Sequence, residues 1–177
     1  AAYIPLAGVV NSAPLILSGP HVKPRRECCL LANLNSLCLD FIARQKVGNV
    51  HLNFFIVEQL PVCPPDIYDD RCPWDKKQTL EKWISERVLK LTCTADDMRP
   101  LAEAAAFKEG VHKWKDAERA ELRAELDAAY FHLYGFSRDD AAYVLSTFQG
   151  MTEDDPVLTA SSGASQILAA YDELANR

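Results

Sequence analysis

Arg26-Glu-Cys-Cys-Leu-Leu-Ala-Asn-Leu-Asn-Ser-Leu-Cys-Leu-Asp-Phe-Ile-Ala-Arg-Gln45 is the stretch on which the fold turns. Leu30, Leu34, Leu37, Phe41 and then Arg44 recur at spacings of three and four, and Leu31, Cys38 and Ile42 widen the apolar face. That is the period of an amphipathic helix with one face against a core, so the spacing predicts a long helix over 26–45. Arg44 and Lys46 form a basic last turn, where cations suit the negative end of the helix dipole, and Gly48 follows as a natural stop.

Outward from this helix the pattern changes. Upstream, Tyr3-Ile-Pro-Leu-Ala-Gly-Val-Val10 and Ala13-Pro-Leu-Ile-Leu17 are short apolar runs whose length and composition predict strands. Ser18-Gly-Pro-His-Val-Lys-Pro24 reads as a loop, because its two prolines donate no backbone hydrogen bond. Downstream, His51-Leu-Asn-Phe-Phe-Ile-Val-Glu-Gln-Leu-Pro-Val62 is β-branched and aromatic and predicts a strand or strand entry. Cys63-Pro-Pro-Asp-Ile-Tyr-Asp-Asp-Arg-Cys-Pro-Trp74 is proline-rich and acidic, the signature of an irregular connector.

Beyond it only helical periods remain. Leu80, Ile84, Val88 and Leu91 mark one helix, with Thr79 placed to cap it. A shorter helix is signalled at Thr94. The longest runs over 117–134, with Asp116 before it, a stripe of Leu122, Leu126, Ala129 and Leu133, and Gly135 after it. Ser137-x-x-Asp140 opens another, and a last one spans about 165–174. The fold class is therefore α+β: a small mixed sheet packed with a long helix, followed by a predominantly helical C-terminal module. The organisation is an α+β module over 1–64, a connector over 65–79 and a helical module over 80–177.

Composition narrows the classes of function. With 49% hydrophobic and 25% charged residues over 177 positions, the chain is neither disordered nor membrane-spanning, and the reading places it in the cytoplasm. The net charge of −6 excludes a generic nucleic-acid coat, yet five basic residues against three acidic ones make 1–60 net positive. The six cysteines form no Cys-x-x-Cys pair, so they are expected to be structural thiols rather than metal ligands. No Gly-x-Gly turn, phosphate loop or Gly-x-Ser-x-Gly elbow occurs, and the adjacent acidic pairs suit turns and caps. His132, inside a helix, is expected to be a satisfied imidazole rather than a general base. No catalytic site is visible.

One constellation says more. Asn33-Leu-Asn-Ser-Leu-Cys-Leu-Asp-Phe-Ile-Ala-Arg-Gln-Lys-Val-Gly48, His51-Leu-Asn-Phe-Phe55 and Gln59-Leu-Pro-Val62 resemble the target-recognition region of adenine-specific DNA methyltransferases. The relatives in question are single-chain type II restriction–modification enzymes, including those attached to phage-defence systems. Arg123-Ala-Glu-Leu-Asp-Ala-Ala-Tyr-Phe-His-Leu-Tyr-Gly135 and Tyr171-Asp-Glu-Leu174 resemble the helical end of the same proteins. The resemblance implies a parent that transfers a methyl group from S-adenosylmethionine to N6 of a flipped adenine. Pro64-Pro65 lies between Cys63 and Asp66 and is not that family's Asn/Asp-Pro-Pro-aromatic catalytic motif.

This chain would then be a recognition and assembly fragment with no cofactor of its own. Its partners would be double-stranded DNA and the upstream methyltransferase domain; the alternative is a protein–protein scaffold without DNA contact. On this reading Arg44 and Lys46 contact phosphates, and Asn49, His51 and Asn53 offer hydrogen bonds to base edges. Asn33, Asn35 and Ser36 are expected to be structural ties, and Phe54 and Phe55 core residues. Trp83 and Trp114 are expected to join the core beside the leucine stripe.

Overall fold

The computed structural model describes residues 1–5, 8, 15–47, 52–148 and 163–177. In chain order the elements are α1 (Pro24–Asn35), α2 (Leu37–Lys46), the single turn α3 (Phe54–Val57), β1 (Arg71–Cys72), β2 (Asp75–Thr79) and α4 (Leu80–Thr92). They continue with α5 (Arg99–Ala104), α6 (Asp116–Leu133), α7 (Arg138–Ser146) and α8 (Ala164–Ala175). The class is α+β with helices dominant, and β1 and β2 form a two-stranded antiparallel sheet.

The helix expected over 26–45 is two helices. Pro24 starts α1 at a position where its missing N–H is no loss. Ser36 breaks it: its hydroxyl turns back to donate to the Asn33 carbonyl at 2.7 Å, while its own backbone is extended at ψ 141°. A serine that satisfies itself against the preceding turn offers the chain an alternative to continuing the helix. The new start at Leu37 is then capped from outside, its N–H donating to Asp127 Oδ1 of α6 at 2.8 Å. Periodicity misses this break because the apolar spacing runs through it unchanged.

The sheet also stands elsewhere. The described residues of 1–17 and 51–62 contain no strand, and the strand expected over 51–62 is in part α3. Four apolar residues in a row, Phe54 to Val57, cannot distinguish strand from helix by period, and the Asn53 carbonyl closes the turn by accepting from Ile56 and Val57. The hairpin lies in the stretch expected to be a connector, pairing Arg71 with Thr79 and Cys72 with Asp75. Its sequence has poor β-propensity. Trp74 at its tip is buried, edge-on to Trp83 of α4 at 5.2 Å between ring centres, and this tertiary anchor outweighs propensity.

The core is one continuous cluster. Cys28, Cys29 and Ala32 of α1 join Ile84, Val88 and Leu89 of α4, with Ala128, Tyr130 and Phe131 of α6 and Val144 and Leu145 of α7. Tyr130 is fully buried, yet its hydroxyl is satisfied: it donates to the Cys29 carbonyl at 2.8 Å and meets the Tyr68 hydroxyl at 3.3 Å. All six cysteines are free, and burial pushes the thiols of Cys28 and Cys38 up to about 12, which keeps them protonated and unreactive near neutrality. His132 stacks on Tyr171 at 3.8 Å with its Nε2 3.0 Å from the Tyr171 carbonyl, a satisfied imidazole inside the α6–α8 packing.

The helix ends follow their local chemistry. Thr79 accepts from Lys82 N–H at 3.3 Å, and Gly135 ends α6 in the left-handed region at φ 72°. Asp116 is the first residue of α6 rather than its cap, and it accepts from the Trp114 indole at 2.7 Å. Trp114 itself is 57% exposed, stacked with Arg119 rather than placed in the core. Ser137 and Asp140 form a reciprocal capping box on α7. Ser137→Ala is expected to lower stability by about 1 kcal/mol, read as a shift in urea midpoint with unchanged slope.

Candidate functional site

The expected DNA-facing site sits at the end of α2. Arg44 and Lys46 both stand exposed in its last turn. Arg44 is not free: it makes a bidentate pair with Asp40 one turn earlier, Nε to Oδ1 at 3.2 Å and Nη2 to Oδ2 at 3.0 Å. That hydrogen bonding raises the guanidinium pKa further. The pair is on the surface, with the Arg44 side chain 61% exposed, so solvent screens it and it adds little to stability. On its other side the guanidinium lies 4.7 Å from the centre of the Phe148 ring. Lys46 makes no ion pair with a described residue.

Asn49 and His51, the expected base-edge contacts, lie outside the described residues, as does Gly48. Asn53 is exposed; its backbone begins α3, and its side chain makes no capping bond. Phe54 and Phe55, expected in the core, are 64% and 60% exposed. The reason is geometric: a single helical turn buries one side, and here Ile56 takes the buried position. The structure therefore leaves Arg44 and Lys46 exposed in the same turn, two positions apart and so on different sides of α2, with Asn53 on a separate element flanked by exposed aromatic rings.

Sequence reasoning missed two neighbours of this site. Tyr143 of α7 is 65% exposed and meets Phe41 of α2 edge-on at 6.4 Å, and Phe148 carries Arg44. Tyr143 in α7 and Phe148 just beyond its end are about a hundred positions away in sequence, so no local signal could have joined them to α2. The motif residues behave as framework. Asn33, fully buried, accepts from Cys63 N–H at 2.8 Å and donates to the Tyr134 hydroxyl at 2.9 Å, which donates on to the Pro61 carbonyl at 2.8 Å. The segment leading away from α3 is thus tied to α1 and α6.

A second concave feature was also unforeseen. A cleft of about 620 Å³ opens between α1, α4 and α6, lined by Leu31, Leu37, Val88, Leu91 and Leu126 with Arg119, Arg123 and Asp127. The spacing that could have found it is i, i+4, i+8 on α6, which places the three charged residues along one face. Burial pushes the Asp127 carboxyl up to about 7, against the lowering effects of the Leu37 amide and Arg123.

Among the described residues, no group of three His, Cys, Asp or Glu side chains is arranged to hold a metal ion, and no helix is long and apolar enough to cross a membrane. Compared with protein-family profiles, curated proteins and solved structures, the chain finds no match.

Proposed function

We propose that this chain is a DNA target-recognition and assembly region of a larger S-adenosylmethionine-dependent adenine-N6 DNA methyltransferase. It works in the cytoplasm within a restriction–modification or phage-defence system. The observation that carries the reading is the solvent exposure of Arg44 and Lys46 in the last turn of α2, ahead of a polar stretch rich in hydrogen-bonding side chains. Two cations with one neighbouring carboxylate, Asp40, leave one net positive charge at the tip of an otherwise acidic chain. Such a tip holds a phosphate backbone weakly and positions the chain on it, while Asn49, His51 and Asn53 address base edges. The cofactor loop and catalytic motif belong to the methyltransferase domain with which the acidic helices assemble.

The purified chain is expected to bind a 20-base-pair duplex with Kd on the order of 10–100 μM at low salt, weakening as salt rises. Arg44→Ala with Lys46→Ala should flatten the plot of log K against log salt by about two in slope, because two phosphate contacts are lost. Identical titrations for the wild type and the double variant would remove this assignment.

A second reading is favoured by the exposed Phe54, Phe55 and Leu17, the last 84% exposed: a scaffold surface for another protein with no DNA contact. In that case duplex binding is missing from both proteins.

A further inference from the structure

Arg119 and Arg123 stand one turn apart on the face of α6 that lines the cleft between α1, α4 and α6. Arg119 is committed in part: its Nη1 donates to the Leu91 carbonyl at 2.7 Å, and its guanidinium lies 3.6 Å from the Trp114 ring centre. Its pKa is lowered, first by desolvation and then by the like charge of Arg123. Arg123 is exposed at the cleft and makes no ion pair with a described residue. Two guanidinium groups one turn apart at an apolar cleft, neither in an ion pair with a described residue, are complementary to an anion seated there.

Asn35, Ser36 and Thr92 are polar members of the cleft's lining, and the wall between them is aliphatic. Ala32, Val88, Ala124 and Ile167 are buried residues of its wall, and Leu31, Leu37 and Leu91 are partly buried around it. Its volume of about 620 Å³ falls in the range of small-molecule sites rather than of a flat protein interface. From Arg119 to Asp127 the helix rises about 12 Å, the reach of a medium-length acyl chain.

We infer that this cleft is a binding site for a small amphiphile with an apolar body and a single carboxylate head, the head held by Arg123 with Arg119 behind it and the body lying along Leu31, Val88 and Leu91 toward Asp127. The commitment to an anionic head follows from charge complementarity, since the arginines outnumber the one acid of the cleft. Asp127 weakens the positive field less than a full charge near neutrality, because its carboxyl is pushed up to about 7. The inference concerns a face other than the tip of α2 and does not depend on DNA binding.

The test is calorimetric titration of the whole chain with decanoate, 1-decanol and decyltrimethylammonium at equal ionic strength. Decanoate should bind with one site and Kd on the order of 10–100 μM, and the cation at least tenfold more weakly. Arg123→Gln, a change at an exposed position, should weaken decanoate about tenfold and leave decanol unaltered. Ala120→Phe fills the cleft and should abolish binding of both, with an unchanged far-ultraviolet spectrum showing that the chain is folded. Equal affinity for the carboxylate and the ammonium would overturn the inference. So would full decanoate binding by Arg123→Gln, or no binding of decanoate at 1 mM.

Discussion

Asp127→Asn is expected to stabilise this protein at pH 8 by about 2–3 kcal/mol and to leave it almost unchanged at pH 4. The wild-type carboxyl of α6 is pushed up to about 7 by burial, although the Leu37 N–H and Arg123 both favour its charged form. In the unfolded chain the same group titrates near 3.9. Between these two values the folded state holds one proton more than the unfolded state. Stability therefore falls as pH rises through that window, by about 1.4 kcal/mol for each pH unit, and levels off above the folded pKa. The full shift corresponds to roughly 4 kcal/mol, and the smaller figure allows for the partial access of the side chain to water at the cleft.

Asparagine keeps an oxygen for the Leu37 amide and removes the charge. Urea unfolding at pH 4, 6 and 8 reads the effect directly. If the two proteins unfold alike at pH 8, the carboxylate is well solvated in the native state and the argument from burial fails. The sign is informative in itself: an acid that caps a helix is ordinarily stabilising, through both the cap and the dipole, so a gain on neutralising it isolates desolvation as the larger effect.

Asp127 also shows where a sequence stops being legible. The i, i+4 and i+8 spacing of Arg119, Arg123 and Asp127 is present in the chain as written, but only the approach of α1 and α4 makes that face a cleft. The tandem caps Thr79 and Ser137, the stop at Gly135 and the stripe of α4 are local signals, and each is found where the spacing places it. The α1–α2 break is not, because Ser36 acts through a side-chain bond that leaves the apolar period intact. The hairpin is not, because its stability comes from Trp74 against Trp83 rather than from Asp75-Lys-Lys-Gln-Thr79. The exposure of Phe54 and Phe55 is not, because hydrophobicity ranks residues for burial but does not say which of four consecutive ones a single turn will bury. At the candidate DNA-facing tip, the basic last turn of Arg44 and Lys46 is legible in the sequence, whereas the Phe148 ring under Arg44 comes from tertiary structure alone.

Asn33→Ala is expected to be among the most damaging single changes, lowering stability by about 2–4 kcal/mol. The side chain is fully buried at the end of α1 and uses both ends of its amide. Removing it leaves Cys63 N–H without its acceptor and takes from the Tyr134 hydroxyl the donor that polarises its bond to Pro61. The consequence is local before it is global: the chain at 61–63 loses its tie to α1, and the half-buried Cys63 thiol, whose pKa burial raises, becomes accessible. Alkylation by iodoacetamide without denaturant should speed up about tenfold at Cys63 while Cys28 and Cys38 stay protected, which corresponds to about 1.4 kcal/mol less protection at that site. Tyr134→Phe alone should do less, since Asn33 keeps Cys63; the double variant should fall short of the sum, the mark of one shared network. Uniform acceleration at all the cysteines would mean that Asn33 supports the whole core instead of pinning one segment. The distinction bears on function because 61–63 lies three residues beyond α3 and its exposed aromatic rings. An asparagine that fixes the base of that segment acts as framework, whereas Lys46 stands exposed and makes no ion pair with a described residue.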